Sequence, residues 1–156
     1  MIYVFDTSSF IVIGHFFHDR FPSFWERFDR YIEEGKIISV REVLAELDNQ
    51  ATRSHLKNWI ASNKGIFLVP IEQELKFIRE IFERQHFRQI IKAKDILNGK
   101  PVADPFVIAK AKAVNGIVVT EEVWKKNAAK IPNICSHYDI EYTNLEGFMT
   151  REGWEF

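Results

Sequence analysis

Apolar residues fall in short runs separated by charged and turn-forming residues, and the period of each run predicts an element. Residues 2–5, β-branched or aromatic and halted by "DTSS", predict a buried strand followed by a turn. Pro22 suits the first position of a helix, and the helix predicted through "FWERFDRYIEEG" stops at Gly35. "KIIS" predicts a second strand, and "VREVLAELDNQ" a second helix. Residues 66–69, bounded by Gly65 and Pro70, predict a third strand. From 72 to 89 the pattern is helical, because Leu75, Ile78 and Phe82 recur at the spacing of one helix face, and "ILNGKP" breaks it. A helix over 105–114, a stop at Gly116 and the strand "IVVT" follow. A short strand in "IEY" and a helix near "NLEGFM" complete the chain.

Strands that alternate with helices pair in parallel through right-handed crossovers. The expected fold is therefore α/β, a three-layer α/β/α sandwich around a parallel sheet of four or five strands. No repeat, low-complexity tract or linker divides the 156 residues, so a single domain over 1–156 is expected.

Composition narrows the partners. A hydrophobic fraction of 46% with 14 Phe supports a packed globule, and 21 basic against 22 acidic residues leaves a net charge of -1, so any surface for a polyanion must be local. Cys135 is the single cysteine, which excludes an intramolecular disulfide and suits a reducing cytoplasm. No apolar run approaches the roughly 20 residues of a membrane span, and the first residues lack the basic start of a signal peptide. The chain reads as soluble and cytoplasmic, with no membrane partner.

The acids carry the chemistry. In an open parallel sheet, ligands bind beyond the carboxyl ends of the strands. Asp6 lies at the exit of the first strand, and Glu121 and Glu122 at the exit of "IVVT". Asp104 opens the helix before that strand. Glu42 and Glu46 are four apart on one helical face, so either can point at the same edge. Carboxylates about 4 Å apart repel by about 4 kcal/mol at an effective dielectric near 20. A hard divalent cation removes that repulsion, and an oxygen-only ligand set selects Mg²⁺ or Mn²⁺ over zinc.

With these acids in this order, the sequence resembles the PIN-domain nucleases, in particular the small, DUF4411-like PIN-like proteins related to toxin-type endoribonucleases. The resemblance runs from "YVFDTSSFI" through "ISVREVLAELD" and "ADPFVIAKAKAVNGIVVTEE" to "IPNICSHYDIEY", and the pair "ADPFVIAKA" and "VVTEE" is its most specific part. It implies that Asp6, Glu46, Asp104 and Glu122 hold Mg²⁺ or Mn²⁺ and form the catalytic site, with Glu42 competing with Glu46. Glu122 departs from the family's "T-x-D", and its longer side chain alters a second metal site. Thr7, Ser8 and Thr120 resemble supporting hydroxyls. The implied activity is metal-dependent hydrolysis of RNA phosphodiester bonds, with an antitoxin protein as the partner of a toxin-type enzyme. The alternative is a PIN-like module that binds RNA or protein without cleaving.

Several groups have plainer readings. Alone, Asp104 before Pro105 suits a helix cap, Asp6 an Asx turn, and Glu42 and Glu121 surface charges. His15, His18 and Asp19 lack a second ligand pair of recognisable spacing and read as structural rather than as zinc ligands. Cys135 and His137 read as a core thiol and an edge histidine. The aromatic group Phe16, Phe17, Phe21, Phe24, Trp25 and Phe28 reads as packing, with part left exposed for a homodimer. The basic stretch 79–100 reads first as a solvated helix face. Its Arg88, Lys92, Lys94 and Lys100 also suit a phosphate-contacting rim, because the stretch leads into Asp104.

Overall fold

A computed structural model of the chain describes residues 1–51, 53–91 and 102–156. Its strands are β1 (Tyr3–Phe5), β2 (Ile37–Val40), β3 (Phe67–Leu68), β4 (Ile117–Val119) and β5 (Tyr142–Thr143). They form one parallel sheet in the order β3-β2-β1-β4-β5. The helices are α1 (Thr7–Ile13), α2 (Pro22–Glu33), α3 (Arg41–Gln50), α4 (Ser54–Ser62), α5 (Glu72–Glu83), α6 (Asp104–Val114), α7 (Ile131–His137) and α8 (Leu145–Arg151). They cover both faces of the sheet, which makes the expected three-layer α/β sandwich.

Alternation along β1 assigns the layers. Tyr3 and Phe5 point to one face, where their rings meet Phe148 of α8 at 4.7 and 5.3 Å and Phe5 meets Phe28 of α2 at 5.6 Å. Val4 is left to the opposite face, the side of α6, which lies against β1, β2 and β4. Near the amino ends of the strands, Glu152 accepts the hydroxyls of Tyr3 at 2.5 Å and Tyr31 at 2.6 Å, joining the end of α8 to β1 and α2.

The strand order reverses between β1 and β4, since the chain leaves β1 toward β2 on one side and returns to β4 on the other. That reversal leaves a crevice at the carboxyl ends of β1 and β4. Phe5 is registered with Val119, and the Asp6 N–H donates to the Val119 carbonyl at 3.0 Å. The next residues, Asp6 and Thr120, therefore stand side by side at its mouth. Close approach of the two strands also requires Gly116. A Cβ there would stand 2.7 Å from the Ile2 carbonyl oxygen.

Some elements differ from those the pattern predicts. "DTSS" is not a turn; it opens α1, with Asp6 at the cap. The hydrophobic spacing does not pick out α4 or α7 either. The helix predicted over 72–89 ends at Glu83 and continues as a 3₁₀ turn over Gln85–Ile90. Its buried side is Glu74, Phe77, Ile78 and Ile81, while Leu75 is exposed and Phe82 only half-buried. A paired carboxylate on the inner face displaces the stripe by one residue. Asn115, in the left-handed region at φ 51°, terminates α6 one residue before the predicted glycine stop. The break "ILNGKP" lies outside the described residues.

The aromatic group is mainly core: Phe24, Trp25 and Phe28 are buried, whereas Phe17 and Phe21 remain on the surface. His18 stacks on Trp25 at 3.8 Å, its Nδ1 lies 2.8 Å from Nδ1 of His55, and the His55 Nε2–H donates to the Gly14 carbonyl at 2.7 Å. These histidines tie the α1–α2 connection to α4. Cys135 is buried, and His137 sits exposed beside Phe87, as a core thiol and an edge histidine should.

Candidate functional site

Asp6 is the centre of the crevice. Only 4% of it is exposed, and its carboxylate receives donors from the first turn of α1 and from the exit of β4. Oδ1 accepts the Ser9 N–H at 2.9 Å, which caps α1, and Oδ2 accepts the Thr120 hydroxyl at 2.5 Å. The Ser8 hydroxyl reaches both oxygens, at 2.8 and 2.9 Å. Each hydroxyl is itself oriented by a backbone donor: Ser8 Oγ accepts the Glu121 N–H at 2.9 Å, and Thr120 Oγ1 accepts the Glu122 N–H at 3.1 Å. Two relays thus run from the exit of β4 to one carboxylate. Burial pushes the Asp6 carboxyl up to about 6, opposed by the hydrogen bonds from Thr120, Ser9 and Ser8.

Glu46, in the second turn of α3, joins this cluster to the start of α6. Its Oε2 accepts the Thr7 hydroxyl at 2.8 Å and its Oε1 the Ala103 N–H at 2.9 Å. The segment carrying Asp6 and the segment carrying Asp104 are therefore held at the same sheet edge by one side chain. Glu42 takes the other course. Its Oε1 accepts from the Arg41 guanidinium at 2.9 Å, and its Oε2 is buried without a hydrogen-bond partner among the described residues. Asp104 is not the cap of α6: Ala103 holds that position, and Asp104 stands inside the first turn, where the helix dipole favours an acid.

Glu121 and Glu122 are engaged elsewhere. Glu121 Oε1 accepts the Leu145 N–H at 2.8 Å, and Glu122 Oε2 accepts the Ile131 N–H at 2.9 Å. Each carboxylate thereby satisfies the first N–H of a helix, α8 for Glu121 and α7 for Glu122. Glu121 is more than the surface charge its sequence context suggested. Of the predicted phosphate rim, Arg88 is exposed and its Nε–H donates to the Phe82 carbonyl at 2.7 Å, while Lys92, Lys94 and Lys100 lie outside the described residues.

Sequence reasoning missed Ser9 and the Ala103 N–H. Ser9 has a local signal, since an Asp three residues before a small polar residue at a strand exit is a helix-start pattern. Its hydroxyl also donates to the Val119 carbonyl at 2.8 Å, across the crevice. Ala103 has no signal, because its partner is 57 residues away.

A family model described as "Domain of unknown function (DUF4411)" matches residues 3–156. The chain belongs to the DUF4411 family. Every residue of the crevice, from Asp6 to Glu122, lies within the matched DUF4411 span. No curated protein matches the chain. Among solved structures, the crystal structure of PAE2754 from Pyrobaculum aerophilum is similar, at 12% identity and a TM-score of 0.49, covering 97% of this chain and 96% of that one.

Among the described residues, the donors of the DUF4411 crevice are carboxylates and hydroxyls, a chemistry that suits a hard cation. Among the described residues, no three His, Cys, Asp or Glu stand together as a ready ligand group. Mg²⁺ does not require one, since it is commonly held through one or two carboxylates and keeps several waters.

Proposed function

We propose that this DUF4411 protein is an endoribonuclease dependent on Mg²⁺ or Mn²⁺. The observation that carries the reading is Asp6, a carboxylate 4% exposed at the strand-order reversal and pinned by Ser8, Ser9 and Thr120. A buried carboxylate with its pKa raised by burial is a group whose ionised form a cation would favour. The order of acids that resembles the PIN-domain nucleases supports the same reading, as does the link from Glu46 to the segments carrying Asp6 and Asp104.

One or two of Asp6, Asp104 and Glu46 would hold the ion, the remainder reaching it through its waters. When bound, a divalent cation supplies a water of lowered pKa and neutralises charge on the phosphoryl oxygens. The chain's own residues supply position. Ser8 and Thr120 fix the rotation of the Asp6 carboxylate, so that its oxygens need not reorganise on binding. Glu46 sets the distance between the start of α1 and the start of α6. Asp104 presents its carboxylate from the first turn of a rigid helix. No protein nucleophile is required.

A second reading, a module that binds RNA without cleaving it, is favoured by Glu121 and Glu122, whose carboxylates cap helices. Cleavage of a labelled RNA pool with Mn²⁺, with and without chelator, separates the two. The nuclease reading expects chelator-sensitive cleavage that Asp104→Asn abolishes. It also expects Mn²⁺ to raise the melting temperature of the parent and to raise that of Asp104→Asn much less, by mass action on the folded state. Equal metal responses would return Asp104 to a purely structural role.

A further inference from the structure

The loop that leaves the site after Glu122 reads "VWKKNAAK" over 123–130, and its chemistry is unlike the rest of the edge. It holds three lysines, Lys125, Lys126 and Lys130, all exposed, and no acid. Val123 and Trp124 are 74% and 51% exposed. A Trp this open, with no other ring packed on it among the described residues, contributes little to the core.

The loop is nonetheless held in place. The Glu122 carboxylate bonded to the Ile131 N–H closes it at the base. The Lys125 carbonyl accepts the Asn133 side-chain amide at 2.7 Å and the Ala128 N–H at 3.0 Å. Trp124 thus stands between two anchors. It lies four positions after Thr120, a chain reach of at most about 14 Å, and Thr120 hydrogen-bonds Asp6. A second basic stretch adjoins the loop, because His86 Nε2 meets the Ala128 carbonyl at 3.3 Å, with exposed Arg84 and Arg88 two residues to either side. The basic rim that the sequence located in 79–100 therefore continues into a stretch it did not single out.

We propose that residues 123–130 bind single-stranded RNA beside the site, with one base stacked on Trp124 and adjacent phosphates on Lys125 and Lys126. Charge complementarity selects the occupant: an acid-free lysine loop suits a polyanion, and an anchored, exposed indole suits an unpaired base. A duplex keeps its bases stacked on one another and offers no face to the indole, so the loop selects single strands. The proposal rests on the reading of the Asp6 crevice as a phosphodiesterase site, and it names which substrate reaches that site.

The test is fluorescence anisotropy of a labelled 12-nucleotide RNA with the full chain in chelator, so that binding is read without cleavage. Trp124→Ala is expected to weaken binding on the order of ten-fold, and Trp124→Phe to recover part of the loss. Lys125→Gln with Lys126→Gln is expected to flatten the dependence of log affinity on log salt by about 1.4. The same RNA annealed to its complement should bind more weakly. Because Trp124 is exposed, its replacement should leave the thermal melt unchanged. Unaltered affinity in Trp124→Ala, which is also the result if the loop docks a protein, overturns the proposal, and so does equal binding of duplex and single strand. The two readings fail separately. Binding that follows this map without Mn²⁺-dependent cleavage removes the nuclease reading alone, and cleavage indifferent to Trp124 removes the loop proposal alone.

Discussion

Asp6 combines two roles that a sequence presents as alternatives. It caps α1 through the Ser9 N–H, and it gathers the hydroxyls of Ser8 and Thr120. Its raised pKa has a stability consequence whose sign follows from linkage. A carboxyl that holds its proton more tightly when folded stabilises the fold below its unfolded pKa, and that contribution is lost as pH rises through about 6. Metal-free Asp6→Asn should therefore match the parent near pH 4 and exceed it at pH 7. Two pH units at about 1.4 kcal/mol each set the gain at up to about 3 kcal/mol. Urea unfolding of both proteins in chelator at the two pH values checks this, and a difference independent of pH would show that the Asp6 carboxyl is not perturbed.

Elements are joined by pairs that carry their own cost. Lys110 of α6 and Glu74 of α5 form an ion pair at 3.0 Å with side chains 7% and 1% exposed, and Glu74 Oε2 also accepts the Ile71 N–H at 3.1 Å. This pair explains why the α5 stripe read from apolar residues alone was misplaced: the inner face includes a glutamate. Lys110→Met strands a buried carboxylate and should cost about 3–5 kcal/mol in urea unfolding. Adding Glu74→Gln should restore much of the loss, because the amide oxygen still accepts from Ile71 without a charge. Failure of the second substitution to recover stability would mean that the lysine acts by packing rather than by charge. At the β1–β4 contact, Gly116→Ala places a methyl 2.7 Å from the Ile2 oxygen. It should cost about 1–3 kcal/mol and, if a cation binds the crevice, weaken that binding by shifting β4 against β1. Isothermal titration with Mn²⁺ reads the second effect, and unchanged affinity would separate the strand contact from the site.

At the scale of the whole molecule, the sheet order brings together segments more than a hundred residues apart. Residues 6–9, 103–105 and 120–122 share the edge where the strand order reverses, and among the described residues no helix is long and apolar enough to cross a membrane. If a cation binds there, Mn²⁺ should slow amide hydrogen exchange in those three segments together and leave residues 35–37 and 115–117, at the opposite ends of β2 and β4, unchanged. Exchange read by mass spectrometry distinguishes this from protection confined to one segment, which would place the ion elsewhere.

The sequence by itself determined the strands, most of the longer helices, and the placement of Asp6 and of Glu121 and Glu122 at strand exits, because those features depend on local period and on breakers such as Pro22 and Gly35. It also carried both helix acids, and the family resemblance put Glu46 ahead of Glu42. Only the tertiary structure decided that Glu46 joins Thr7 to Ala103, that "DTSS" is a helix start, and that Glu121 and Glu122 turn to cap α8 and α7. The physical reason is range. A helix period is written within a few residues, whereas the Glu122 to Ile131 bond spans nine residues, the Glu121 to Leu145 bond 24 and the Ala103 to Glu46 bond 57. Such partners become neighbours only after the parallel sheet has set its order and its register.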